Sequence, residues 1–176
     1  MNMIESPSPH FRNHREADVD TVVVHYISAL NIAPDEPFNL QKVLDLLQKP
    51  IEYKAPDGQP KSVKVSAHYM VTREGDVHKL VDEDKVAWHA GRSDLHGRKI
   101  RGGCNDFSVG IELMGGKNFD YTDAEYDALI ELVRDIRTRH TIPRENIVGH
   151  DQIAPGRKHD PGPHFDWDRL YAGVFA

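Results

Sequence analysis

Apolar residues in this 176-residue chain fall into short runs of two different periods. Thr21 to Tyr26 (TVVVHY) is a β-branched run and predicts a buried strand carrying one histidine. Ser108 to Met114 (SVGIELM) predicts a second buried strand, in which alternation sets Glu112 on the face opposite Ile111 and Leu113. Ala67 to Thr72 and Val77 to Val81 flank Arg73-Glu74-Gly75-Asp76, a hairpin pattern. Asn146 to His150 (NIVGH) predicts a short strand ending on a histidine. Helical spacing follows Asn39, a candidate cap for an apolar face of Leu40, Val43, Leu44 and Leu47. Thr122 and Glu125 form a capping box. It opens the longest helix, to about Arg139, with Tyr126, Leu129, Ile130, Val133 and Ile136 on one face. A last helix is expected from near Asp166, and the polar stretch Lys49 to Ser62 reads as an exposed loop with a turn at Pro56-Asp57-Gly58. Strands and helices mix without strict alternation. The pattern therefore predicts an α/β fold: a single domain over 1–176, with a mixed central β-sheet flanked by helices.

Composition narrows the function classes. A net charge of −6 argues against nucleic acid or an anionic membrane as the main partner. The single cysteine, Cys104, excludes an internal disulfide framework, disfavours a cysteine-based zinc site, and reads as an inert thiol. The first twenty residues show no basic start, apolar run or small-residue cleavage site, and Val22 to Leu30 is far short of the roughly 18 residues of a membrane span. The expectation is a cytoplasmic monomer. The 11 histidines tilt the search toward metal or acid–base chemistry, because imidazole is the commonest metal ligand and titrates near neutrality.

Four places carry candidate chemistry. His25, inside an apolar strand, reads either as a core histidine bonded to the backbone or as a metal ligand on a rigid element. His150 begins a Gly- and Pro-rich segment holding Asp151, Lys158, His159 and Asp160, which reads equally as a solvated loop or a site loop. Its spacing matches no short helical zinc motif. Glu112 must pair, meet solvent or face a site, and in a site it would serve as a general base. Trp88 and His89, beside Gly91, are either core residues or the floor of a cleft.

Taken together, VVVHY (22–26), SAHYMV (66–71), AWHAG (87–91), NDFSVGIEL (105–113) and GHDQIAPGRKHDPGPHFDW (149–167) resemble the zinc-dependent N-acetylmuramoyl-L-alanine amidases. The resemblance is strongest to the cytoplasmic 1,6-anhydro-muropeptide amidases of cell-wall recycling, and it runs through nearly the whole chain in the family's order. It implies one Zn(2+) per chain held by His25, His150 and Asp160, with Glu112 and Lys158 as catalytic partners and a muropeptide or peptidoglycan fragment as substrate. Trp88, His89, Asn105 and Arg157 are the candidate substrate contacts, Arg157 because its fork matches a stem-peptide carboxylate. Tyr26 stands where the recycling enzymes carry Asn, and His159 where a small polar residue is usual. These departures keep a lytic amidase on polymeric peptidoglycan as an alternative. A non-catalytic peptidoglycan-binding module is a third reading, disfavoured because all three metal positions, Glu112 and Lys158 are present.

Overall fold

The two expected buried strands become paired central strands of seven residues each. The computed structural model describes residues 1–98 and 102–176. In chain order the elements are β1 (Met3–Glu5), β2 (Phe11–Arg12), β3 (Thr21–Ile27), α1 (Leu40–Gln48), β4 (Ile51–Lys54), β5 (Pro60–Val63), β6 (Tyr69–Val71) and β7 (Val77–Lys79). Then come β8 (Val86–Ala87), β9 (Ser108–Met114), α2 (Asp123–Arg139), β10 (Ile147–Gly149), α3 (His150–Ile153) and α4 (Trp167–Val174). One mixed sheet has the order β1-β7-β6-β9-β3-β10, in which only the β6–β7 hairpin pair is antiparallel.

Strand alternation divides the sheet into an apolar face and a face that carries chemistry. Val22 and Val24 of β3, Val109, Ile111 and Leu113 of β9, and Tyr69 and Val71 of β6 pack against Leu129, Leu132, Val133 and Ile136 of α2 and Leu170 of α4. Each such side chain taken out of water contributes roughly 1.5–3 kcal/mol. Register pairs His25 with Glu112, and Met70 with Glu112, so these three leave the sheet on the other face. That face has apolar clusters on two sides. Met70 and Met114 pack with Val43, Leu44 and Leu47 of α1, and Val23 packs with Cys104, Phe107, Val148 and Ile153. Between them lie His25, Glu112 and the groups around them.

The caps form where local spacing placed them. Asn39 Oδ1 accepts from the Lys42 backbone N–H at 3.2 Å. Thr122 and Glu125 exchange hydrogen bonds at 3.1 and 2.8 Å, and Glu125 also accepts from Arg73 at 2.9 Å. The stretch Lys49 to Ser62 differs from its reading as a loop: β4 and β5 form an antiparallel ribbon around the expected turn, where Gly58 adopts φ +80°. Its strands are almost wholly exposed, so no hydrophobic contrast marked them. The edge strand β1 escaped notice for the same reason. His150 does not end a strand. It is the first residue of the short helix α3, directly after β10. No helix among the described residues is long and apolar enough to cross a membrane.

Candidate active site

β10 runs parallel to β3 with Gly149 opposite Val24, so the next position in that register sets His150 beside His25. The loop after α3 returns to the same place because the Asp151 backbone N–H donates to the Asp160 carbonyl at 3.0 Å. The result is a triangle of buried donor atoms. His25 Nδ1 lies 3.0 Å from His150 Nδ1 and 2.9 Å from Asp160 Oδ2, and His150 Nδ1 lies 3.0 Å from the same oxygen. Burial is the largest influence on His25 and, against the pull of Asp160, brings its pKa down to about 4, so the ring is neutral.

His150 Nε2 donates to the Ala90 carbonyl at 2.9 Å. A neutral ring that donates from Nε2 has only a lone pair at Nδ1. Lone pairs and a carboxylate crowded at about 3 Å repel one another unless a cation stands among them. His25, His150 and Asp160 are therefore a group that can hold a metal ion.

These three residues line a cleft of about 290 Å³ together with Glu112, Lys158 and Trp88. Glu112 is 9% exposed, and its Oε2 has no partner among the described residues. Burial first and the Asp160 charge second raise its pKa well above the ordinary carboxylate value, while Lys158 acts in the opposite sense. A carboxyl group and a lysine thus face the same space as the candidate metal ligands. Tyr26 and His159, the two departures from the family pattern, also line it. In a larger cavity the arginines among the described lining residues are engaged: Arg15 donates to backbone carbonyls, and Arg139 pairs with Glu83 and Asp135.

The four candidate substrate contacts separate. The Trp88 ring is half-buried in the cleft and stacks parallel to His10, with centroids 6.2 Å apart. His89 is buried, with Nδ1 3.0 Å from His25 Nε2. Asn105 lies behind the cleft wall, where its Oδ1 accepts from the His89 and Ala90 backbone N–H groups at 3.2 and 2.8 Å. Arg157 reaches the cleft, but its Nη2 donates to the Ala90 and Arg92 carbonyls at 2.7 and 2.6 Å. The Ala90 carbonyl therefore receives both His150 and Arg157. No side-chain pattern in the sequence signals a backbone acceptor of this kind.

Residues 15–163 match the family described as N-acetylmuramoyl-L-alanine amidase. The chain belongs to that family. This amidase is 39% identical over 171 residues to the 1,6-anhydro-N-acetylmuramyl-L-alanine amidase AmpD of Haemophilus influenzae, covering 95% of the chain and 89% of the relative. It superposes on a crystal structure of a selenomethionine AmpD derivative with a TM-score of 0.80 at 39% identity, covering 98% and 93% of the two chains. It also matches AmiD from E. coli, solved in complex with anhydro-N-acetylmuramic acid-L-Ala-D-gamma-Glu-L-Lys, with a TM-score of 0.68 and 32% identity. That match covers 92% of this amidase and 60% of AmiD. The mixed sheet flanked by helices is the fold expected of an amidase, and the chain is a hydrolase of that class.

Proposed function

We propose that this amidase is a zinc enzyme of cytoplasmic peptidoglycan recycling. It hydrolyses the amide between the lactyl group of 1,6-anhydro-N-acetylmuramic acid and L-alanine of the stem peptide. The observation that carries the reading is the convergence of His25, His150 and Asp160 at 2.9–3.0 Å beside a buried Glu112 whose Oε2 has no partner among the described residues. Two imidazoles and one carboxylate suit zinc and leave a fourth position open. When bound, the ion would supply Lewis acidity and a water of pKa near 7.

The chain's own residues supply the remaining steps. Glu112 takes the proton of the attacking water as its oxygen bonds to the lactyl carbonyl carbon, and delivers a proton to the leaving alanine nitrogen as the C–N bond breaks. A base with a raised pKa is suited to both transfers. Lys158, in the same cleft, offers a positive charge to the oxyanion that forms in between. Trp88 presents an aromatic face at the cleft wall for the sugar or the peptide. The Arg157 nitrogens not committed to Ala90 and Arg92 remain for a stem-peptide carboxylate.

Turnover and metal content measured on one preparation test the reading. Zinc near one per chain, with stem peptide released from soluble anhydro-muropeptides faster than from intact sacculi, is expected. Faster release from sacculi would favour a lytic amidase, and fragment binding without zinc or turnover a recognition module.

A further inference from the structure

His89 touches His25 and is buried in the wall of the same cleft. It is 8% exposed, and its ring rests directly on β9, where a Cβ at Gly110 would stand 2.4 Å from the ring Cγ. Both ring nitrogens are engaged. Nδ1 faces His25 Nε2 at 3.0 Å, and Nε2 faces Ser108 Oγ at 3.2 Å. The Ser108 hydroxyl in turn donates to the Cys104 carbonyl.

The direction of this chain follows from its last member. A carbonyl only accepts, so Ser108 gives its single hydrogen to Cys104 and offers a lone pair to His89. His89 Nε2 then carries the hydrogen of the ring. A single ring hydrogen at Nε2 leaves a lone pair at Nδ1. The only hydrogen that fits between His89 and His25 is therefore on His25 Nε2. That leaves His25 Nδ1 with a lone pair directed at His150 and Asp160. His150 reaches the same tautomer in one step through Ala90, whereas His25 needs three.

We propose that His89 is a positioning residue: with Ser108 and the Cys104 carbonyl it holds His25 in the orientation and tautomer that present Nδ1 to the metal ion. This rests on the zinc reading above and assigns His89 to the ligand rather than to the substrate. Outer partners of metal-bound imidazoles act in this way, and their loss typically weakens metal binding by roughly 10- to 100-fold. Gly110 belongs to the same device, because any side chain there would displace the ring.

The test compares zinc affinity by chelator competition in the wild type, His89→Leu, His89→Asn and Ser108→Ala, with KM and kcat on the anhydro-muropeptide. The amide oxygen of Asn occupies the place of the imidazole Nδ1 and keeps an acceptor for His25. Leu is expected to weaken zinc binding roughly 10- to 100-fold with KM unchanged. Asn should restore most of the affinity. Ser108→Ala should fall between, because His89 is then free to move its hydrogen to Nδ1. Nitrogen NMR of the metal-free wild type should show the His25 hydrogen on Nε2, and a mixture of tautomers in Leu. Wild-type zinc affinity in Leu, an Asn variant as weak as Leu, or a raised KM with zinc affinity intact would each overturn the role. A wild-type protein that holds no zinc would instead sink the zinc reading itself, and this role with it.

Discussion

His25 and Glu112 are direct register partners on the adjacent parallel strands β3 and β9, so both side chains leave the sheet on the same face. One strand contributes a candidate metal ligand and its neighbour a carboxylate with no hydrogen-bond partner at Oε2 among the described residues. Because the backbone ladder sets that separation, the candidate ligand and base are positioned by two paired central strands. Their roles are nevertheless distinct, since Glu112 stands outside the triangle of donor atoms.

Removing the base should therefore spare the metal. Glu112→Ala is expected to keep zinc and lose roughly 10²- to 10⁴-fold in kcat, the usual contribution of general acid–base catalysis. His150→Ala should lose both zinc and turnover. Metal analysis of the purified variants beside steady-state kinetics separates the two, and full activity in Glu112→Ala would reject the assignment.

Metal removal should register in stability as well as in activity. The three donor atoms converge to 2.9–3.0 Å, close enough to share one cation. Zinc at a hundredfold its Kd should then add about 2.7 kcal/mol to the folded state. Thermal unfolding with and without a chelator should show a higher Tm for the loaded protein, and Asp160→Ala should abolish most of the difference.

Asn105 is expected to matter through the cleft wall. Its Oδ1 accepts from two successive backbone N–H groups, at His89 and Ala90. Asn105→Ala leaves both without that acceptor and should cost about 1–3 kcal/mol in urea unfolding. Asn105→Asp retains the acceptor and should recover most of the loss. A normal stability for Asn105→Ala with a raised KM would return the residue to the substrate.

Acid should weaken the protein through Glu83. This carboxylate accepts from Tyr69 and His140 at 2.6 Å and from Arg139 at 2.8 Å, tying the segment between β7 and β8 to the end of α2. Burial opposes its charge, but these donors lower its pKa from 4.5 to about 2. A group depressed on folding contributes stability that is complete above its unfolded value and is lost as pH falls toward the folded one. Urea unfolding between pH 4.5 and about 2 should show the advantage of wild type over Glu83→Gln shrinking as pH falls. A constant gap would reject this account.

Local periodicity alone determined much of this protein. The strands β3 and β9, the capped helices α1 and α2, the turn at Gly58 and the placement of Glu112 opposite Ile111 depend on neighbours only a few residues away. A sequence reports such relations directly. Elements without hydrophobic contrast, the β4–β5 ribbon and the edge strand β1, were invisible for the same reason. The ligand set became legible only through resemblance to a family, because His25 and His150 lie 125 residues apart and no spacing rule joins them. Tertiary structure alone decided that β10 pairs with β3, bringing His150 beside His25. It also decided the partners of the polar groups: Asn105 and Arg157 turn to backbone atoms, and His89 turns to His25. A buried donor or acceptor takes whichever partner the fold brings within about 3 Å, and for His150, Arg157 and Ser108 that partner is a backbone carbonyl, the one group every residue type possesses.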